Sequence, residues 1–267
     1  MKKPKRHAIN PRVYAKYYEL VYGRTLNDVP FYTGMASQTG GPVLELACGT
    51  GRVLLPIAQA RFECWGVDFE LSMLGKLRAK LRAEPEEVRR RLNLVQADMR
   101  DFDLPRRFSL AFVAFNSFLA LTTTEDQEKC LHCIRRHMKS DGLMVINVFA
   151  PRHDLLAQTE AGRICQEISL PGDEGLLRVE EHVERDLANE VMYVENTFTT
   201  LRGRHKVKTE HSGFTLTWIH RRELLLLLAN NGFEVAAFYG DFDRRPYDYQ
   251  SGKMIVVARK APVRHGR

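Results

Sequence analysis

Short apolar runs alternate with helical stretches through the first 150 residues. Five of these runs are nearly continuous in Val, Leu, Ile, Phe and Ala, and most lack polar alternation. Continuous apolar runs are typical of parallel strands that are buried on both faces. The pattern predicts an α/β fold with a doubly wound, Rossmann-like parallel sheet, whose ligand binds at the carboxyl ends of the strands. The five strands are expected at Val43–Leu46, Cys64–Asp68, Leu94–Met99, Phe108–Leu119 and Leu143–Phe149.

The same pattern resumes near the end of the chain. A leucine-dense helix is predicted over His220–Asn230, with Asn231-Gly232 as a left-handed cap. Two strands follow, at Phe233–Tyr239 and Lys253–Arg259. Residues 1–162 and 219–267 are therefore predicted to form one core. Earlier in that core, Thr124–Met138 has helical spacing, and Asp141-Gly142 is expected to break that helix before strand five.

Residues 163–218 interrupt this pattern with β-rich segments. Leu176–Arg185, Val191–Thr200 and His205–Trp218 are joined by connections too short for a parallel crossover. Three antiparallel strands are predicted, forming an insert after strand five. A sheet in this place must cover something, so the insert is expected to roof the substrate pocket, and a simple stabilising lid is the alternative. One face of the insert is expected to carry the apolar side chains Val179, Val183, Val191, Tyr193 and Phe198.

A glycine-bearing turn follows the first predicted strand, in the stretch VLELACGTGR from Val43 to Arg52. Gly49 and Gly51 lack a Cβ, so the backbone can approach a ligand closely between strand and helix. A dinucleotide site of the Rossmann type would also need a third glycine three residues further on, where this chain has Leu54. An acidic residue, Glu45, precedes the turn and does not belong to the dinucleotide pattern.

With Glu45, Gly49 and Gly51, this stretch resembles the first motif of the class I S-adenosylmethionine-dependent methyltransferases of small molecules. The usual pattern of that family is acidic-x-Gly-x-Gly-x-Gly, and Ala47 replaces its first glycine. The resemblance extends over nearly the whole chain, from about Tyr14 to Lys260. It implies S-adenosyl-L-methionine as cofactor, with Arg52 included in the first cofactor-binding stretch. It also implies that the final strand is antiparallel between its neighbours, and that the insert at residues 163–218 is a substrate lid or a dimer contact.

The later strand ends agree with this resemblance, which implies a role for each of them. Asp68 would accept the ribose hydroxyls, and Asp98 would accept the adenine amine. Simpler roles remain open: a helix cap for Asp68, a solvated loop acid for Asp98, a core side chain for Met73 and a turn former for Asn116. The remaining residues that the family places around the cofactor are Phe69 and Met73 beside adenine, the Met99 amide at a ring nitrogen, and Phe115 and Asn116 beside the methionine moiety.

Tyrosines cluster near the amino terminus. Tyr14, Tyr18 and Tyr22 are spaced by four and would share one face of a helix. The simple interpretation is an amphipathic helix that packs on a sheet. The family resemblance adds that Tyr14 or Tyr22 would place a hydroxyl near the sulfonium or the carboxylate of the cofactor.

Composition limits the location and partners of the protein. No apolar run approaches the roughly 18 to 20 residues of a membrane span, and the basic start of the chain lacks the apolar segment of a secretory signal. The five cysteines lie mostly in apolar segments, which favours thiols in a reducing cytoplasm. Cys130 and Cys133 have the spacing of a metal pair but lie within a predicted helix without a second pair, so no metal is expected.

The net charge of +7 raises the possibility of a nucleic-acid partner. The basic stretches contain interspersed acids or lack alternating aromatic residues, which argues against a nucleic-acid surface. The leading hypothesis is therefore methyl transfer to nitrogen or oxygen of a small molecule, by a monomer or a homodimer. The alternatives are a methyltransferase acting on RNA or protein, and a non-catalytic cofactor-binding protein of the same fold. No catalytic base is assigned, since the sequence does not show which histidine reaches the pocket.

Overall fold

The computed structural model describes residues 10–157, 160–170, 172 and 175–262. Its helices are α1 (Pro11–Tyr22), α2 (Val29–Thr39), α3 (Leu54–Gln59), α4 (Leu71–Arg82), α5 (Glu86–Arg91), α6 (Thr124–His137), α7 (His153–Leu156) and α8 (Arg221–Asn230), with a 3-10 helix at Ser117–Ala120. Its strands are β1 (Val43–Leu46), β2 (Cys64–Asp68), β3 (Leu92–Gln96), β4 (Phe108–Val113), β5 (Met138–Phe149), β6 (Glu160–Ser169), β7 (Leu176–Asp186), β8 (Val191–Arg202), β9 (His205–Thr217), β10 (Phe233–Tyr239) and β11 (Lys253–Lys260).

Seven strands form the main sheet, in the order β10-β11-β5-β4-β1-β2-β3. The five strands β1 to β5 are parallel, whereas β11 is antiparallel to both β5 and β10. The predicted doubly wound sheet with an antiparallel final strand is confirmed. One detail differs: α6 ends at His137, and Asp141-Gly142 lies inside β5 and does not form the break.

The main sheet is central because its middle strands are buried on both faces. Every residue of β1 and β4 is buried, as continuous apolar runs require. Helix α2, which the pattern analysis did not predict, packs beside these strands, and the ring of Tyr32 stacks on Phe112 at 4.4 Å. The strand order places the carboxyl ends of β1, β2 and β4 next to one another.

The insert is a separate antiparallel sheet of four strands, β6-β7-β8-β9, one more than predicted. On β8 the buried positions alternate at Met192, Val194, Asn196 and Phe198, and Thr199 is buried as well. Val179 pairs with Phe198 and Val183 with Val194, so these four share a face. The prediction that Val191 and Tyr193 belong to this face was wrong, because side chains alternate along a strand and these two have the opposite parity.

The chain divides into two compact units. One unit contains the main sheet, with Thr25–Pro151 and the residues from Ile219 onward. The other combines α1 with Arg152–Trp218, so helix α1 belongs to the insert sheet and not to the core in which the sequence analysis placed it. Within that unit Tyr17 stacks on Phe198 at 4.4 Å. In the described part of the chain, no helix is long and apolar enough to cross a membrane.

Candidate functional site

The loop after β1 has the backbone that the glycine pattern predicts. Gly49 and Gly51 have φ values of 56° and 74°, in the left-handed region that favours glycine. Ala47, at the position of the missing first glycine, also has a positive φ of 53°. A residue with a Cβ pays about 1 to 2 kcal/mol for this conformation. The substitution of Ala for Gly has therefore kept the loop shape and added strain.

Two close contacts explain why Gly49 and Gly51 lack side chains. A Cβ on Gly49 would lie 3.2 Å from Cε of Met73, and one on Gly51 would overlap the end of Leu77. Both neighbours belong to α4, the helix after β2. The bare backbone thus lets the loop lie directly against this helix. Met73 is only 7% exposed, so it is a core residue as well as a candidate neighbour of the adenine.

Asp68, at the end of β2, is bound to the glycine loop. Its Oδ2 accepts a hydrogen bond from the amide of Gly49 at 2.7 Å, and its Oδ1 accepts one from the amide of Glu70 at 2.8 Å. The side chain therefore forms the turn into α4, although the N-cap residue of that helix is Glu70 and not Asp68. Each carboxylate oxygen has two lone pairs, so both can accept a further donor. Burial raises the pKa of Asp68 despite these two bonds.

Glu45 is a buried acid beside this loop. It is 4% exposed, and it accepts a backbone hydrogen bond from Leu54. Its Oε2 has no hydrogen-bond partner among the described residues, and the same holds for the hydroxyls of Tyr32 and Thr50. Burial raises the pKa of Glu45 well above its usual range, whereas the positive charge of Arg52 opposes this shift. A buried polar atom without a partner indicates a place for a ligand or a water molecule.

Arg52 is held by a residue that the sequence analysis missed. Its guanidinium donates to both carboxylate oxygens of Asp28, at 2.5 and 2.6 Å, and to the carbonyl of Thr25. The guanidinium also lies 4.8 Å from the ring centre of Phe115. The sequence contains no local signal for this pair, because Asp28 precedes α2 and Arg52 follows β1.

Asp98 is the acid after β3, and Arg100 surrounds it. Oδ1 accepts from the Arg100 amide at 2.8 Å and from Nε at 2.9 Å, and Oδ2 accepts from a terminal guanidinium nitrogen at 2.6 Å. Arg100 also donates to Asp126 at 2.9 Å. These bonds lower the pKa of Asp98. The Asp-Met-Arg spacing was the available signal for Arg100, and the sequence analysis did not use it.

The end of β4 is a strained turn. Phe115 and Asn116 have φ values of 54° and 66°, in succession. The amide of Asn116 donates to the carbonyl of Asn147 at 3.1 Å, and Asn116 begins the 3-10 helix. The structure therefore shows Asn116 as a turn former. Left-handed conformations of residues other than glycine are concentrated at functional sites.

The remaining candidates have different environments. Phe69 is 64% exposed next to Asp68, and Met99 is half-buried after Asp98. Tyr14 and Tyr22 lie on α1, in the unit of the insert sheet, with their ring centres 6.4 Å apart. The structure thus brings the strand-end candidates together in the core unit, and the two tyrosines belong to the other unit.

Comparisons with known proteins agree with this geometry. A family described as a methyltransferase domain matches residues 43–142, which include the glycine loop, Asp68, Asp98 and the β4 turn. The cypemycin N-terminal methyltransferase of a Streptomyces species is 25% identical over 82% of each chain. The CcbJ methyltransferase from Streptomyces caelestis is 26% identical, with a TM-score of 0.77 over 88% of this chain and 90% of that one. Residues 43–142 thus match a methyltransferase domain, and these similarities support a class I S-adenosylmethionine-dependent methyltransferase.

A third similarity concerns the cofactor of this methyltransferase. The glycopeptide N-methyltransferase MtfA, whose structure is a complex with S-adenosyl-L-methionine, is 25% identical, with a TM-score of 0.55 over 88% of this chain and 95% of that one. The residues of the present chain fit that group. Both carboxylate oxygens of Asp68 can accept a further donor beyond their amide bonds, and the buried Glu45 oxygen without a described partner suits a cationic group. The protein is an enzyme that uses S-adenosylmethionine.

Proposed function

We propose that this methyltransferase acts on an amino nitrogen of a small molecule or of a small peptide. The observation that carries the proposal is the match, over 82% of each chain, to an enzyme named for methylation at a peptide amino terminus. The glycopeptide enzyme is also named as an N-methyltransferase. Among the two acceptors that the sequence left open, nitrogen or oxygen, these names support nitrogen.

The core unit contains the residues that we assign to the cofactor. Asp68 would accept the ribose hydroxyls, and Glu45 would pair with the methionine ammonium. Asp98 would accept the adenine amine, and the amide of Met99 would donate to the ring. The residues assigned to the surrounding wall are Ala47, Gly49 and Gly51 in the loop, Arg52 and Phe115 beside the methionine end, Phe69 and Met73 beside adenine, and Asn116 at the β4 turn.

When bound, the cofactor supplies an electrophilic methyl group on a sulfonium. The contribution of the chain is then alignment and exclusion of water, because in-line displacement by a neutral amine needs no nucleophilic side chain. The rigid glycine loop and the paired Arg52 suit this role, since neither has to reorganise when ligands bind. An amine acceptor must lose its proton before it attacks, so the rate should rise with pH toward the pKa of that amine.

A panel of matched acceptors tests the proposal. Release of S-adenosylhomocysteine would be measured with an amino sugar, a peptide with a free amino terminus, a phenol and a transfer RNA. The acetylated forms of the sugar and the peptide are the controls, because only the acceptor nitrogen is blocked. We expect turnover with a free amine and none with its acetylated form. Turnover only with the phenol or the RNA would contradict the proposal, and cofactor binding without any turnover would indicate a non-catalytic protein.

Asp68 provides a test of the cofactor assignment itself. Asp68→Ala should weaken binding of S-adenosylhomocysteine by about 1.5 to 3 kcal/mol, the scale of hydrogen bonds to a charged group. Calorimetry would measure the affinity for S-adenosylhomocysteine in Asp68→Ala and in the milder variant Asp68→Asn. Asp141→Asn is the control, because Asp141 is exposed. An unchanged affinity in a folded Asp68→Ala variant would mean that Asp68 only forms the turn. Heat of binding on addition of NADH, and none on addition of S-adenosylhomocysteine, would overturn the assignment.

Other expectations extend this proposal. We propose that the enzyme works in the cytoplasm on a small molecule and without a nucleic-acid partner, in agreement with its buried thiols at Cys48, Cys64, Cys130 and Cys133. The role of residues 163–218 as a substrate lid or a dimer contact stays a prediction, and so does the placement of a tyrosine hydroxyl from Tyr14 or Tyr22 at the sulfonium.

A further inference from the structure

Asp98 is saturated on all but one of its acceptor positions. A carboxylate offers four lone-pair sites. On Oδ1 the amide and Nε of Arg100 fill two of them, at 2.8 and 2.9 Å. On Oδ2 a terminal nitrogen of Arg100 donates at 2.6 Å, and Nε makes a longer contact of 3.1 Å that it shares with Oδ1. Three N–H groups therefore serve the carboxylate, and one acceptor position remains on Oδ2.

Arg100 cannot turn away easily from this arrangement. Its amide is fixed by the backbone, and its guanidinium is anchored at the far side by Asp126, at 2.9 Å. Asp126 lies in the first turn of α6, where an acid is also favoured by the helix dipole. The side chains of Asp98 and Arg100 are 30% and 40% exposed, so solvent reaches the carboxylate from one side. The carboxylate thus presents one remaining acceptor position, on Oδ2.

We propose that Arg100 is a positioning residue that sets the selectivity of this enzyme for a 6-amino purine over a 6-oxo purine. The inference rests on the proposed role of Asp98 toward the adenine amine. A 6-amino group brings the N–H that the remaining position requires. A 6-oxo group brings an acceptor oxygen against a carboxylate that has no hydrogen to donate, which is repulsive. Without the guanidinium of Arg100, only the amide of residue 100 would hold Oδ1, so Oδ2 would no longer be fixed and this discrimination would fall.

The test compares S-adenosylhomocysteine with S-inosylhomocysteine, which differ at the 6 position. The measured quantity is the ratio of their dissociation constants for the wild type, Arg100→Met and Arg100→Lys. We expect a strong preference for the amino form in the wild type, a loss of about three- to tenfold of this ratio in Arg100→Met, and partial rescue in Arg100→Lys. A ratio that stays at the wild-type value in folded Arg100→Met would overturn the proposal, since a merely structural role changes both affinities equally.

Two further variants keep the test decisive. Arg106→Met removes a comparable bidentate pair, with Glu63 at 3.0 and 2.5 Å, at the opposite end of β2, and should leave the ratio unchanged. If Arg100→Met does not fold, Asp126→Asn removes the far anchor while Arg100 stays in place, and should lower the ratio by a smaller factor. An unchanged ratio there would refute the positioning role. Failure of the wild type to bind S-adenosylhomocysteine would instead refute the proposed function.

Discussion

Replacing Asp28 with Asn tests the charge balance around Arg52. The two side chains are only 3% and 5% exposed, and two hydrogen bonds of 2.5 and 2.6 Å join them. Removal of one partner from a buried ion pair costs about 3 to 5 kcal/mol, because the other charge stays buried. Asn keeps the shape and one acceptor oxygen. We therefore expect the free energy of unfolding to fall by about 3 kcal/mol, the lower end of that range.

Glu45 determines how much of this free energy of unfolding the Asp28→Asn variant loses. In the wild type Asp28 neutralises Arg52, and burial raises the pKa of Glu45, so its ionised form is disfavoured. In Asp28→Asn, Arg52 has lost its counter-charge, and we expect Glu45 to ionise in its place. Glu45→Gln should then be neutral or stabilising in the wild-type background and destabilising in the Asp28→Asn background. The coupling between the two sites should be about 1 to 3 kcal/mol.

The pH dependence of the stability of Glu45→Gln tests the same reasoning independently. A carboxyl whose pKa is higher in the folded than in the unfolded state stabilises the fold at low pH and loses this contribution as pH rises. Glu45→Gln removes that loss. Relative to the wild type, the variant should therefore become more stable as pH rises above the usual pKa of a glutamate. If Glu45→Gln instead becomes less stable than the wild type as pH rises, Glu45 is already ionised in the folded wild type, where Asp28 is present.

The assay is urea unfolding of the wild type, Asp28→Asn, Glu45→Gln and the double variant, followed by fluorescence and circular dichroism. Trp65 lies in the core unit and Trp218 lies in the unit of the insert sheet, so fluorescence reports on both units. The far-ultraviolet circular dichroism signal is therefore used to separate unfolding of the core from unfolding of the insert unit. Glu63→Gln is the control, since it breaks an ion pair that is 35% and 50% exposed and should cost less than about 1 kcal/mol. The reasoning fails if Glu45→Gln has the same effect in both backgrounds.

Two further predictions concern the loop and the insert sheet. Ala47→Gly should raise the free energy of unfolding by about 0.5 to 1 kcal/mol, because relief of the left-handed strain exceeds the added chain entropy. A decrease like that expected for Ala58→Gly, in helix α3, would show that the strain is absent. In the insert unit, burial raises the pKa of Glu210, but hydrogen bonds from Lys16, Tyr17 and Lys208 outweigh it and lower the pKa to about 2. The stability that these bonds contribute is present above about pH 4 and disappears toward pH 2. The free energy of unfolding of Glu210→Gln should therefore fall by about 1 to 2 kcal/mol at neutral pH, after allowance for screening, and by little near pH 2. An equal loss at both pH values would contradict the assignment.

The sequence predicted features that depend on neighbours along the chain. The main sheet was predictable because strands buried on both faces are continuously apolar, as β4 is. The turns at Gly49 and Gly51 were predictable because few other residues accept a positive φ. Strand β6 was missed because its segment, EAGRICQEIS, is mostly polar and contains a glycine. The same reasoning placed Val191 and Tyr193 on the wrong face, since a list of apolar residues does not fix the parity of a strand.

Only the tertiary structure determined which charged groups share a buried environment. The pair of Asp28 and Arg52 joins the start of one helix to the turn after a strand, and no local pattern encodes that distance. Burial raises the pKa of Glu45, Arg52 opposes this shift and Asp28 adds to it, because the energy of a buried charge depends on every charge around it. The sequence alone therefore determined the fold, the glycine loop and the acids at the strand ends. The tertiary structure decided which of those acids are paired, which have a raised pKa and which have an acceptor position left, because pairing and desolvation depend on distances that only folding creates.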